Sequence, residues 1–79
     1  MYNHMDGAAE ALEFSVNSAS VVTNVPLRDL TLKPNIIIAG IIRSRRTIVP
    51  GGNDMILSGD RVIVIAAGKK LHDLTDIAL

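Results

Sequence analysis

The sequence predicts a small α+β domain in the order strand, helix, strand, strand, strand, helix, with a sheet carrying its helices on one face. Three stretches carry that expectation. Asn35-Ile36-Ile37-Ile38-Ala39-Gly40-Ile41-Ile42-Arg43 is a β-branched run closed by a cation. It is far shorter than the roughly 20 residues a membrane helix needs, and its branching favours a central strand. Leu12-Glu13-Phe14-Ser15-Val16-Asn17 alternates apolar and polar residues, the period of a half-buried strand, and Arg61-Val62-Ile63-Val64-Ile65-Ala66 is apolar on both faces.

Along the chain, Met1 to Ala11 mixes small and acidic residues and reads as a linker or tail, although Ala8 to Leu12 would tolerate a helical turn. The folded domain is therefore expected over residues 12–79. Pro26 opens a short helix that turns Leu27 and Leu30 to the core, and Lys33-Pro34 ends it because the residue before proline avoids the helical region. In the central strand, strict alternation sends Ile36, Ile38 and Ile42 to one face and Ile37 and Ile41 to the other. Ser44-Arg45 then turns the chain into Thr47-Ile48-Val49. A two-residue hairpin prefers Asn-Gly, so Ser-Arg implies a longer loop or strain. Pro50 to Asp54 breaks the pattern, Met55-Ile56-Leu57 is a short apolar segment, and Ser58-Gly59-Asp60 leads into the last strand. Gly68 opens a closing helix with Leu71, Leu74, Ile77 and Ala78 inward and Lys69, Lys70, Asp73 and Asp76 outward.

At 79 residues the chain is one domain with a small core, burying only about 60% of its unfolded surface. The absence of Cys removes disulfides and thiolate metal sites, which leaves oligomerisation as the expected reinforcement. The central strand points the same way: both of its faces are apolar, and so short a chain can cover only one. Aromatic residues make up 3% of the chain, which leaves the core to Ile, Val, Leu and Ala and nearly excludes stacking on bases. A net charge of zero argues against capture of nucleic acid or an anionic membrane. Charge is nonetheless uneven, with Arg28, Lys33, Arg43, Arg45 and Arg46 against Asp29 alone over residues 28–46, enough for a local anion site. With no signal-like segment and no membrane-length span, a cytoplasmic protein is expected.

The candidate chemistry is sparse. Arg43, Arg45 and Arg46 are either a solvated hairpin tip or a phosphate site, and Arg43 is the better candidate because the strand fixes its origin. His72 reads as an exposed helix position, and with His4 in the tail no metal-ligand spacing exists. Asp54 and Asp60 read as turn carboxylates accepting backbone N–H groups. No Ser stands in a nucleophile elbow, so an enzyme is not expected. Gly51-Gly52 reads as a turn, and no Gly-x-Gly-x-x-Gly occurs to hold NAD or ATP.

Five stretches in register resemble one family. Asp6 to Phe14, Pro26-Leu27-Arg28-Asp29-Leu30, Asn35 to Arg43, Pro50-Gly51-Gly52-Asn53-Asp54 and Gly59-Asp60-Arg61-Val62-Ile63-Val64 are similar in order to the TrkA C-terminal, or RCK_C, family. The resemblance implies a regulatory module of a potassium uptake system or channel, held near the inner membrane by its partner and preceded by a Rossmann (RCK_N) domain. It implies a homodimer seamed by Ile36, Ile37, Ile38 and Ile41. It also implies an effector pocket for cyclic di-AMP between the copies, built on Asn35, Ile36, Ile37, Ile38, Arg43, Val49 and Pro50. No other cofactor is expected. The chain departs from the family pattern in having Ser44-Arg45 where many members have Asn-Gly, and in lacking aromatics to stack on adenine. A structural dimerisation domain that binds no ligand is the competing expectation.

Overall fold

The computed structural model describes residues 8–79; the expectations placed on residues 1–7, the start of the tail and His4 among them, lie outside the described residues. Four strands, β1 (Ala9–Ser15), β2 (Ile36–Arg43), β3 (Arg46–Ile48) and β4 (Arg61–Ala67), form one antiparallel sheet in the order β1-β4-β2-β3. The element order follows the sequence reading, with two helical segments that are each a single 3-10 turn, Leu27–Asp29 and Leu74–Ile77.

Backbone pairing elsewhere explains why the helices stop so early. Leu30 is already extended (φ −94°, ψ 117°), and the chain beyond it pairs with the C-terminus. Lys33 N–H donates to Ile77 O (2.9 Å), Leu79 N–H donates to Thr31 O (2.9 Å), and Leu32 bridges Ala78. At the other end, the Asp76 carboxylate accepts the His72 and Asp73 N–H groups at 2.8 and 3.0 Å, a bend that delays the closing turn until Leu74. The apolar assignments survive this shortening: Leu71, Leu74 and Ile77 are buried and Ala78 packs against the core. β1 starts at Ala9, earlier than alternation alone suggests, because Ala9, Glu10 and Ala11 pair with Ala67, Ala66 and Ile65 of β4. Those residues are therefore strand rather than tail or helical turn.

The register of β2 departs from strict alternation at one point. Ile36 and Ile38 face Ala66 and Val64, but a bulge between Ile38 and Gly40 sets Gly40 opposite Ile63 and Ile41 opposite Val62. One extra residue flips every side chain beyond it. Ile36, Ile38 and Ile41 therefore share the core face with Leu12, Val62, Val64 and Ala66, while Ile37 and Ile42 stand on the outer face with Ala11, Ile63 and Ile65. Ile41 is fully buried and Ile36 is buried in the same core, which corrects their placement on a dimer seam: both are core residues of their own domain.

Loop segments cover the inner face. Thr23 bridges Ile56 in parallel and Pro26 bridges Met55, placing Val22, Thr23 and Ile56 in the core. Among the described residues nothing covers the outer face in this way, and Ile37 there is 61% exposed.

Candidate effector groove and the Arg43–Asp60 clamp

β3 pairs with Ile41, Ile42 and Arg43, so among the described residues the first half of β2 has no strand on that side. A groove of about 310 Å³ lies along this stretch. Ile36, Ile37 and Ile38 form its floor; Leu27, Arg28 and Leu32 form one wall and Pro50, Gly51 and Gly52 the other. The two walls are tied together. Leu27 N–H donates to Asp54 O (2.9 Å) and Arg28 N–H to Gly52 O (3.0 Å). A carboxylate-closed turn, in which Gly51 N–H donates to Asp54 Oδ2 at 2.7 Å, shapes the second wall. Gly52 permits the close approach: a Cβ there would lie 3.1 Å from the Arg28 Cβ, tighter than the backbone allows without yielding. The Arg28 guanidinium donates to the Asn53 side-chain oxygen and stands 4.0 Å from the Asp29 carboxylate, with all three groups at the surface.

Four of the sequence-designated effector residues, Ile36, Ile37, Ile38 and Pro50, line this groove. Asn35 is exposed just before β2, in the left-handed region at φ 65°, and its carbonyl accepts Ala67 N–H. Val49 is 85% exposed and lies outside the groove lining.

Arg43 also lies outside it, and its fork is engaged. Nε donates to Asp60 Oδ1 at 2.9 Å, and Nη2 donates to Asp60 Oδ2 at 2.8 Å and to the Met55 carbonyl at 2.9 Å. Asp60 is 2% exposed and also accepts Leu57 N–H at 2.8 Å. The Arg43 hydrogen bond, helped by the Leu57 N–H, holds the Asp60 carboxyl below the usual carboxylate range against the opposing effect of burial. The same contact raises Arg43. The pair clamps the end of β2 to the start of β4, a structural task for the guanidinium that the sequence reading gave to phosphate. Arg45 and Arg46 are exposed at the hairpin, and Ser44 takes the strained turn position at φ 56°. His72 is exposed, as expected, but stands in the bend before the closing turn and not on a helix.

Sequence reasoning missed Leu27, Arg28, Leu32, Gly51 and Gly52 as groove residues. Leu27 read as core, Arg28 as one cation among several, and the glycines as a turn. Nothing in their spacing shows that residues 27–32 meet residues 50–52.

Among the described residues, no helix is long and apolar enough to cross a membrane, and no group of three or more His, Cys, Asp or Glu side chains is arranged to hold a metal ion.

Comparisons with known proteins agree with this architecture. The chain is 30% identical over 71 residues to a Trk system potassium uptake protein TrkA homolog of Archaeoglobus fulgidus, covering 90% of this chain and 16% of that protein. It is 25% identical over 72 residues to Trk system potassium uptake protein trkA homolog 1 of Methanosarcina mazei, covering 91% of this chain and 18% of that protein. The chain thus spans less than a fifth of the length of these curated relatives. A solved structure described as "Structure of RCK domain with cda" superposes with a TM-score of 0.60 at 34% identity, over 76% of this chain and 81% of that one. The family model of the TrkA-C domain matches residues 11–79, which includes every strand but the first two residues of β1. The chain belongs to the TrkA-C domain family, a module carried by Trk potassium uptake proteins.

Proposed function

We propose that this TrkA-C domain is a regulatory module of a potassium transport system, and that its groove takes a small anionic effector, cyclic di-AMP, between two copies of the domain. One observation carries the reading: the fold brings Ile36, Ile37 and Ile38 together with Pro50 in a single groove at the unpaired stretch of β2. At about 310 Å³ it stands at the lower end of the range for ligand sites, roughly 300–1,000 Å³. Two grooves facing each other across a twofold axis offer about double that, a symmetry suited to a dinucleotide with two identical halves. Leu27, Leu32, Ile37 and Pro50 supply aliphatic surface that can sandwich a base without aromatic stacking. The likeness to an RCK domain solved "with cda" supports a ligand on this fold.

In this reading the domain performs no reaction of its own. It works on the cytoplasmic side, attached to a Rossmann neighbour and through it to a membrane transporter. The effector acts by differential affinity, shifting the assembly only by as much as it binds one dimer arrangement more tightly than another.

A thermal melt of the chain with cyclic di-AMP, beside cyclic di-GMP and AMP, tests the proposal. A ligand at 100 times its dissociation constant stabilises by about 2.7 kcal/mol, and each kcal/mol moves a domain of this size by about 4–8 °C. A rise of roughly 10–20 °C with cyclic di-AMP alone is expected. No rise with any nucleotide would leave the second reading, a structural dimerisation domain, which the apolar outer face of Ile37, Ile42, Ile63 and Ile65, uncovered among the described residues, favours.

A further inference from the structure

We propose that Arg28, rather than an arginine of the β2–β3 hairpin, is the cation that meets the phosphate of a ligand in the groove; this rests on the effector reading above. Position comes first. Arg28 lines the groove, whereas Arg43, Arg45 and Arg46 do not. Availability follows. Withdrawing Arg43 would strand the Asp60 carboxylate, which is 2% exposed and depends on that guanidinium for two of its hydrogen bonds. Among the described residues, Arg28 is held by a neutral amide oxygen on Asn53 and by Asp29 at 4.0 Å, a contact between side chains 61% and 60% exposed. An exposed pair of that kind is worth little, so a phosphate can replace it without leaving a buried charge unpaired. The Asp54 carboxylate, in the turn behind the second wall, accepts the Gly51 N–H.

The origin of the side chain is fixed, while its head is held by surface contacts alone. Arg28 N–H is bonded to Gly52 O, and the Arg28 Cβ lies 3.1 Å from where a side chain at position 52 would begin. The guanidinium can therefore swing over a groove whose floor and walls are aliphatic. A planar fork of donors at one side of an apolar slot suits a phosphodiester or phosphate attached to a flat base. Across a twofold axis the two copies present two such forks, one for each phosphate of a cyclic dinucleotide.

Titration calorimetry with cyclic di-AMP on the wild-type chain and on Arg28→Gln, Arg28→Lys and Arg45→Gln tests the assignment. Arg28→Gln is expected to weaken binding about 10- to 100-fold, the loss of charge-assisted hydrogen bonds. Arg28→Lys should fall between it and wild type, and Arg45→Gln should bind within about twofold of wild type. Two further readouts separate recognition from a folding defect: the ligand-free melt of Arg28→Gln should stay within about 4 °C of wild type, and its affinity should depend less on salt. A wild-type chain that binds while Arg28→Gln binds equally well overturns the assignment alone. A wild-type chain that binds no cyclic di-AMP overturns the effector reading and this assignment with it.

Discussion

Replacing Asp60 by alanine isolates the ion pair that joins the end of β2 to the start of β4. The carboxylate is 2% exposed and accepts three hydrogen bonds: from Arg43 Nε at 2.9 Å, Arg43 Nη2 at 2.8 Å and Leu57 N–H at 2.8 Å. Removing one partner of a buried, hydrogen-bonded pair costs about 3–5 kcal/mol. Here the other partner, Arg43, is 39% exposed and keeps the Met55 carbonyl, so water recovers part of its solvation and the expected cost falls to about 2–4 kcal/mol. A domain of 79 residues has roughly 4–12 kcal/mol in total, so the variant should melt about 10–30 °C lower. Thermal and urea unfolding followed by circular dichroism would measure it. A loss below about 0.5 kcal/mol would refute the view that this clamp, rather than the surrounding Ile and Val packing, secures the strand ends.

The same carboxylate sets a pH window. Its folded-state pKa is depressed, chiefly by the Arg43 hydrogen bond, so the folded chain releases its proton more readily than the unfolded chain does. The associated stability is fully present above the unfolded value of about 3.9 and is lost as pH falls through the lower folded value. Wild-type stability should therefore decline below about pH 4, and Asp60→Asn should decline less steeply there. Some slope must survive in that variant, because the His72 and Asp73 N–H groups depress Asp76 in the same direction.

Three further changes probe the turn, the groove wall and the outer face. Ser44→Gly removes a non-glycine residue from φ 56° and should raise stability by about 0.5–1 kcal/mol in a urea melt; a loss would mean that the serine side chain has its own role in the turn. Gly52→Ala sets a Cβ 3.1 Å from the Arg28 Cβ and should cost about 1 kcal/mol while lowering ligand affinity, since the wall carrying Arg28 must shift; unchanged melting and binding would show that the loop yields freely. Ile37→Asp places a charge on the most exposed isoleucine of the sheet and, if the proposed dimer forms, should convert it to monomer by light scattering; a dimer unaltered by the change would remove Ile37 from the proposed seam.

The fold was readable in the sequence to the extent that local periodicity decides it. The alternation of Leu12 to Asn17 and the β-branched runs at Ile36–Ile42 and Val62–Ile65 marked three strands, because burial on one or both faces leaves a direct trace in residue type. Helix length left no such trace. Whether Leu27 and Leu74 begin two turns or one depends on residues 31–33 pairing with residues 77–79, a contact between segments more than forty residues apart. The bulge at Ala39 was equally silent. An unbroken Ile-Ile-Ile-Ala-Gly-Ile-Ile run is apolar at every position, so the pattern gives no penalty for slipping by one, and only the pairing of Gly40 with Ile63 fixes which isoleucines face inward.

The site was legible for its floor and not for its charge. Ile36, Ile37 and Ile38 are consecutive and conspicuous, whereas the identity of the phosphate-facing cation depends on which arginine lacks a buried partner. Arg43 stood out because a strand fixes its backbone, yet the residue that consumes it, Asp60, read as an ordinary turn carboxylate seventeen positions away. A buried acid seeks the nearest rigid guanidinium for the same reason a ligand phosphate would, so the arginine best placed by its strand is also the one the fold is most apt to spend on its own stability. Arg28 escapes that use: it sits on a single 3-10 turn at the surface, beside the one loop whose Gly52 lets the backbone come close, and its charge remains available to the groove.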